Sequence, residues 1–229
     1  MIYLYNEIPI DNNLIFISEF FFIIHLYSVI IVIHMKDITI ILDAGHGKET
    51  PGKRWAFGDK TLYEWEFTRD LSKRIKTACD QLKIKCIQAN TDDTDPSLTS
   101  RANNINKIVR QEAEMGRGCL MISLHGNAST NHNATGWEVW STEGTTNSDK
   151  FANIMCKEFS KSFPDRRLRG HKEKNFTVLY KCACPCVLTE NFFYDYKPDF
   201  DLVTSEEGMQ KLTDLHVWSI CDYIEYEKI

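Results

Sequence analysis

The stretch ITIILDAGHG, residues 38–47, joins an apolar run to a histidine that stands between two glycines. Its first half is rich in β-branched residues, which is typical of a strand covered on both faces of a sheet. In open α/β sheets, ligands bind just beyond the carboxyl ends of the strands. His46 follows directly after such an end, and the flanking glycines would let the backbone turn sharply there. The stretch therefore predicts a buried first strand with a polar site at its end.

Strand and helix patterns alternate from this run to the end of the chain. Further strand-like runs lie at residues 84–90, 119–125, 137–142, 176–181 and 186–193. Helical spacing of apolar residues occurs over 62–82, after Pro96, over 147–162 and over 205–226. This alternation predicts the α/β class: a single domain with an open, twisted, mainly parallel sheet of about six strands and helices on both faces.

Charge and cysteine content argue against three classes of protein. The net charge is −5, and the usual basic stripe of a nucleic-acid-binding protein is absent, so no nucleic-acid partner is expected. Eight cysteines without repeated CxxC pairs predict reduced thiols rather than a zinc ribbon or a disulfide scaffold. Cys182, Cys184 and Cys186 alternate and would share one face of a strand. A stripe of small buried thiols is the interpretation we favour, with a second metal or a redox switch as alternatives.

The first 34 residues differ in composition from the rest. Residues 14–33 form a 20-residue apolar stretch, interrupted by Glu19 and His25, that is long enough to span a bilayer. Lys and Arg are absent from residues 1–34, so the basic start of a secretory signal is missing. We interpret residues 1–34 as an apolar extension, either upstream sequence translated from too early a start or a membrane anchor. Residues 35–229 would form the catalytic domain, and a membrane contact is expected only if the stretch is an anchor.

Two more strand-like runs end in polar groups, namely His125 after CLMISL and Glu190 after CVLT. Glu64 lies on the apolar side of the predicted helix over 62–82, although it also fits a capping box that starts at Thr61. Two histidines and one inward carboxylate make a catalytic type of zinc set, which leaves a position for the attacking water. We therefore expect one zinc on His46, Glu64 and His125. Glu190 would serve as general base and acid, with a salt bridge as the alternative.

Six segments together resemble one known family. They are, in chain order, ILDAGHG, LYEWEFTRDL, TDDTDPSLTSRANNIN, LMISLHGNAS, TGWEVW and CPCVLTENFF. They resemble the zinc-dependent N-acetylmuramoyl-L-alanine amidases of the type-3 amidase family, which includes cell-wall autolysins and phage endolysins. The resemblance covers residues 37–226 and implies zinc ligands at His46, Glu64 and His125 and a catalytic Glu190. It also implies cleavage of the amide between the lactyl group of N-acetylmuramic acid and L-alanine of the stem peptide, with a zinc-bound water as nucleophile.

The same resemblance implies action on peptidoglycan at the cell wall or periplasm, with no obligate protein partner. It does not identify the export route, and retention in the cytoplasm until release is one alternative. Asn127, Arg169 and His171 are candidate substrate-binding residues, with a solvated charged loop as the alternative for the basic region. The family's glycine-rich stretch after the first histidine is replaced here by KETPGKRWAFGDKT, residues 48–61. Two other functions stay open, namely a zinc peptidase that cuts within the stem peptide and a non-catalytic wall-binding protein.

Overall fold

The structure is a computed structural model that describes residues 38–227. Its eight strands are β1 (Ile38–Ala44), β2 (Arg54–Phe57), β3 (Lys60–Tyr63), β4 (Cys86–Gln88), β5 (Gly118–Asn127), β6 (Trp137–Ser141), β7 (Leu168–Glu173) and β8 (Cys186–Phe193). Six of them form one sheet in the order β4-β1-β5-β8-β6-β7, and β2 and β3 form a separate hairpin. Within the large sheet only the β6–β8 pair is antiparallel. The predicted six-stranded, mainly parallel sheet is confirmed, while the extension over 1–34 lies outside the described residues.

Helices cover both faces of this sheet. They are α1 (Glu64–Gln81), α2 (Leu98–Glu114), α3 (Asn147–Ser162), α4 (Thr177–Tyr180), α5 (Lys197–Val203) and α6 (Glu206–Tyr226). On one side α6 packs against α1 and α3, and on the other side α2 packs against α4. On the side covered by α2 and α4, Ile105 of α2 and Val178 of α4 pack with Ile41 and Met121 of the sheet. Among the described residues, no helix is long and apolar enough to cross a membrane.

One predicted strand is wrong, and three observed strands were not predicted: β7 of the large sheet and the β2–β3 hairpin. Residues 176–181 contain the short helix α4, and the sixth strand is β7, inside the basic region. An apolar run this short does not distinguish a strand from a buried helical turn, and Val178 and Leu179 are buried in either case. The edge strand β7 pairs only with β6, so its sequence LRGHKE needs no apolar alternation. Cys182 and Cys184 precede β8 and do not lie on a strand.

The sheet register decides which polar side chains meet. His125 of β5 lies opposite Glu190 of β8 in a parallel pair. Glu138 of β6 lies opposite the same Glu190 in an antiparallel pair. Residues directly opposite each other on paired strands point to the same face of the sheet. His125, Glu190 and Glu138 therefore form one row across three adjacent strands, next to the end of β1 that leads to His46.

Candidate active site

The three residues predicted as metal ligands lie together. One potential ligand atom from each of His46, Glu64 and His125 lies within 4.8 Å of the others. Glu64 Oε1 is 3.3 Å from His46 Nε2 and 3.2 Å from His125 Nδ1. The capping alternative for Glu64 is not observed, because α1 begins at Glu64 and its N-cap residue, Tyr63, makes no side-chain cap. The carboxylate is instead buried and faces both imidazoles.

The turn that presents His46 differs from the turn expected from the sequence. The left-handed backbone is at His46 itself, with φ of 60°, and neither Gly45 nor Gly47 has a positive φ. The glycines provide space instead. A Cβ on Gly45 would lie 2.4 Å from His125 Cε1, and one on Gly47 would lie 2.4 Å from the carbonyl carbon of Thr94. A non-glycine residue in this conformation costs about 1–3 kcal/mol, so the surrounding contacts must hold it.

Two arginines hold this strained turn. Arg69 and Arg101 each donate a hydrogen bond to the carbonyl oxygen of His46, at 2.9 and 3.0 Å. Arg101 also donates to Asp43 Oδ1 at 2.9 Å and is itself buried. Sequence reasoning gave neither arginine a positioning role. The signal for Arg101 was its place in a segment that resembles the family's arginine-bearing helix.

Glu64 has further partners that hold it as a carboxylate. The backbone N–H of Gly126 donates to Oε1 at 3.1 Å, and the Tyr194 hydroxyl donates to Oε2 at 3.2 Å. Lys53 Nζ lies 3.5 Å from Oε2. Burial alone would raise the pKa of Glu64, but the imidazoles of His125 and His46 outweigh it and hold the pKa below its usual range. Glu64 is therefore ionised and ready to bind a cation.

Glu190 has the opposite character. Its Oε2 atom is buried and makes no hydrogen bond to the described residues. Burial and the nearby Glu64 carboxylate raise the pKa of Glu190 well above its usual value, while Lys53 and Lys172 oppose the rise. Two carboxyl groups with pKa values pushed in opposite directions are typical of sites that use one as a fixed charge and the other for proton transfer.

The three-residue cluster fits a divalent metal ion. The buried His46 Nε2 makes no hydrogen bond within the described part of the chain, although Glu64 Oε1 lies nearby. The 3.2 and 3.3 Å separations from Glu64 Oε1 are close to the edge of about 3.3 Å expected in a tetrahedron with metal–ligand bonds of about 2.0–2.1 Å. Two imidazoles and one carboxylate are also ligands that zinc accepts.

The candidate substrate-binding residues are divided between two places. Asn127 Nδ2 donates to Glu138 Oε1 at 3.1 Å, and Arg169 Nε donates to Glu138 Oε2 at 2.6 Å. Lys172 Nζ also donates to Glu138 Oε2, at 2.5 Å. His171 is turned elsewhere, because its Nε2 lies 2.7 Å from Ser141 Oγ. Sequence reasoning missed Glu138 as the buried anchor of this group, since only the strand register places it beside Glu190.

Comparison with known proteins identifies the family of this chain. The model of the N-acetylmuramoyl-L-alanine amidase family matches residues 40–222. The chain is 28% identical over 189 residues to the uncharacterized protein YqiI of Bacillus subtilis, covering 82% of this chain and 85% of that protein. It is 28% identical over 182 residues to the N-acetylmuramoyl-L-alanine amidase CwlM of Bacillus licheniformis, covering 78% of this chain and 66% of CwlM.

A solved structure of an amidase has a similar fold. The crystal structure of an N-acetylmuramoyl-L-alanine amidase from Clostridium difficile 630 superposes with a TM-score of 0.72 at 26% sequence identity. The match covers 82% of this chain and 97% of that one. The fold and the sequence are both similar to those of N-acetylmuramoyl-L-alanine amidases. The family model spans most of the described domain. The chain belongs to the N-acetylmuramoyl-L-alanine amidase family.

Proposed function

We propose that this domain is a zinc-dependent hydrolase of peptidoglycan that cleaves the amide between N-acetylmuramic acid and L-alanine of the stem peptide. One observation carries the proposal: His46, Glu64 and His125 converge, and Glu190 lies directly opposite His125 on the neighbouring strand. Amide hydrolysis needs an electrophilic group to polarise the carbonyl and a base to handle the water proton. The cluster can hold the first, and Glu190 can act as the second.

His46, Glu64 and His125 would hold the zinc ion. When bound, zinc supplies a Lewis acid that polarises the amide carbonyl and lowers the pKa of water in the site. The hydrogen bonds from Gly126 and Tyr194 to Glu64 keep its carboxylate in one orientation. Outer hydrogen bonds of this kind orient the ligands of metal sites in general.

Glu190 would transfer the proton. It accepts a proton from the attacking water and delivers it to the nitrogen of L-alanine as the amide bond breaks. Burial beside Glu64 raises the pKa of Glu190, which makes the carboxyl group able to hold this proton between the two steps. Lys53 and Lys172 oppose this rise in the pKa.

Asn127 and Arg169, together with Lys172, would bind the substrate on the β6 side of the site. Arg169 and Lys172 share the single carboxylate of Glu138. These three side chains together therefore keep one net positive charge. We expect it to face the anionic stem peptide, with action at the cell wall. His171 stays a candidate for substrate binding by prediction only, because its imidazole contacts Ser141.

The test is mass spectrometry of purified peptidoglycan digested with the zinc-loaded protein. We expect peptides that begin with L-alanine and a glycan freed of peptide without chain cleavage. A chelator should stop the release, and added zinc should restore it. Release of a D-amino acid or of a crosslink dipeptide would instead identify a peptidase. Zinc content near zero after purification, with no release, would indicate a binding protein.

Matched variants separate the two roles in the site. Glu190→Gln should keep zinc and lose nearly all turnover, because it removes the proton acceptor and keeps the shape. His125→Ala should lose the metal as well. Glu114→Gln changes an exposed glutamate at the end of α2 and should change neither property. Appreciable hydrolysis by Glu190→Gln would show that another group is the base.

A further inference from the structure

The segment KCACPC, residues 181–186, brings together thiols that the proposed amidase chemistry does not use. Cys182 Sγ lies 3.5 Å from Cys184 Sγ, and both side chains are half-buried. With Cys186 they line a cavity of about 600 Å³. This cavity lies at the start of β8, whereas Glu190 lies four residues further along the strand, beside His125. A small reagent can therefore reach the two thiols without entering the active site.

The loop that carries these thiols is held in place by α2 and α4. The side-chain amide of Asn106 donates to the carbonyl oxygen of Lys181 at 2.7 Å and accepts from the backbone N–H of Ala183 at 2.8 Å. The backbone N–H of Cys182 donates to the carbonyl oxygen of Leu179 at 3.0 Å. The backbone is thus fixed on both sides of Cys182. Because the two sulfur atoms already lie in contact, their reaction needs little ordering of the chain.

The two thiols are not equivalent. Hydrogen bonding with the Cys184 thiol and with the backbone N–H of Cys184 lowers the pKa of Cys182. The same contacts raise the pKa of Cys184, because a thiolate there would lie against the sulfur of Cys182. The thiolate is the nucleophilic form of cysteine. Cys182 is therefore the attacking sulfur, and Cys184 is placed to resolve the product.

We propose that Cys182 and Cys184 form a thiol oxidation site that takes a hydroperoxide and closes to a reversible disulfide. The Cys182 thiolate attacks the terminal peroxide oxygen, so that an S–O bond forms, the O–O bond breaks and the alkoxide leaves and takes a proton from water. Cys184 sulfur then attacks the sulfenic sulfur of Cys182, which forms the S–S bond and breaks the S–O bond. The departing hydroxide and the Cys184 proton form water. Two thiols are oxidised, and one hydroperoxide is reduced to an alcohol, or to water when the reagent is hydrogen peroxide.

The other cysteines provide contrast. Cys79, Cys86 and Cys221 are buried, whereas Cys156 on α3 is half-buried like the proposed pair. Burial raises the pKa of Cys156 to about 11. The thiols also do not form a metal site of three or more donors, since His46, Glu64 and His125 are the one such group found among residues 38–227. Cys156 is thus the matched internal reference for reactivity.

The test treats the full-length, zinc-loaded protein with hydrogen peroxide in buffer freed of iron. Samples are alkylated at successive times, and peptide mass mapping follows each cysteine. We expect residues 182 and 184 to lose two hydrogen atoms together, on the order of tenfold faster than Cys156 is oxidised, because thiolate content sets the rate. Dithiothreitol should restore both thiols. Oxidation of Cys182 no faster than that of Cys156 would overturn the proposal.

Serine variants separate the attacking from the resolving sulfur. Cys184→Ser combined with Cys186→Ser should stop at the sulfenic acid of Cys182, because no neighbouring thiol is then left to resolve it, and a cyclic dione such as dimedone then labels it. Cys182→Ser should leave Cys184 to react no faster than Cys156. Cys156→Ser should form the disulfide at the wild-type rate. A dione label on Cys184 and not on Cys182 would reverse the assignment and refute it, and the wild-type time course alone decides the case if a variant does not fold.

Discussion

Replacing Gly45 by alanine tests the geometry of the proposed metal site most directly. The added Cβ would lie 2.4 Å from His125 Cε1 and 2.5 Å from His125 Nδ1. Ordinary van der Waals contact begins near 3.4 Å, so the imidazole would have to move by about 1 Å. Metal–ligand bonds tolerate deviations of only about 0.2 Å. His125 therefore cannot keep its position as a ligand while the alanine is accommodated.

We expect zinc affinity to fall on the order of 10- to 100-fold, or about 1.4–2.7 kcal/mol, which is the usual cost of disturbing the support of a metal ligand. Competition against a chromophoric chelator measures the affinity, and denaturant unfolding checks that the variant is folded. Gly144→Ala is the control for loss of stability without a clash at the cluster: its φ of 94° makes alanine unfavourable, but nothing lies within 4 Å of the added Cβ, so zinc affinity should not change. Zinc affinity of Gly45→Ala within threefold of wild type would refute the reasoning.

Three further predictions concern stability and substrate binding. His216 is buried, and burial lowers its pKa from 6.5 to about 4. Between these values the unfolded chain binds a proton that the native protein does not, so unfolding free energy should fall by about 3 kcal/mol as pH decreases. Denaturant unfolding should show a flatter pH profile for His216→Gln, and an unchanged slope would contradict this. Arg101→Ala removes the cation paired with the buried Asp43 carboxylate, which keeps a hydrogen bond from Ser123, and should cost about 3–5 kcal/mol in the same assay. Arg110→Ala on the exposed side of α2 should cost little. Lys172→Met should raise KM for soluble muropeptides about tenfold, the worth of one partly exposed charged hydrogen bond. Because Lys172 also lowers the pKa of Glu190, the pH profile of kcat should shift to higher pH. An unchanged KM would remove Lys172 from substrate binding.

The elements predicted best are those whose sequence pattern is compatible with a single type of secondary structure. β1 matches the strand predicted over residues 38–44, because a short β-branched run followed by a glycine-containing segment is typical of a buried strand. Helix α1 begins at Glu64, two residues later than predicted, because residues 60–63 pair with β2 in a hairpin. The sequence pattern of residues 48–61 did not predict that hairpin. Edge strand β7 was missed for a similar reason, since strands that bury little surface leave little hydrophobic signal.

The candidate site shows the same limit. His46, Glu64 and His125 could be chosen from strand ends and one helical face, and the structure brings them together. The residues that contact and support these three side chains could not be predicted from strand ends and helical faces. Lys53 and Tyr194 meet Glu64 from segments 11 residues before it and 130 residues after it, a meeting that only the tertiary fold produces. The left-handed φ of His46 was also unexpected, because glycine is the usual residue in that conformation and glycines flank it on both sides.

The row formed by His125, Glu190 and Glu138 has a consequence for protein engineering. Adjacent strands are separated by about 4.7–4.9 Å, and this spacing is a property of backbone hydrogen bonding that no loop can alter. The distances from Glu190 to His125 and Glu138 are therefore set by the sheet itself. Residues 48–61 and the turn before β6 lie outside the six-stranded sheet. These two segments, the first of which contains strand β2 and the start of β3, are the natural places to graft segments from related hydrolases. A chimera that changes them should redirect substrate choice and keep the spacing of the row intact.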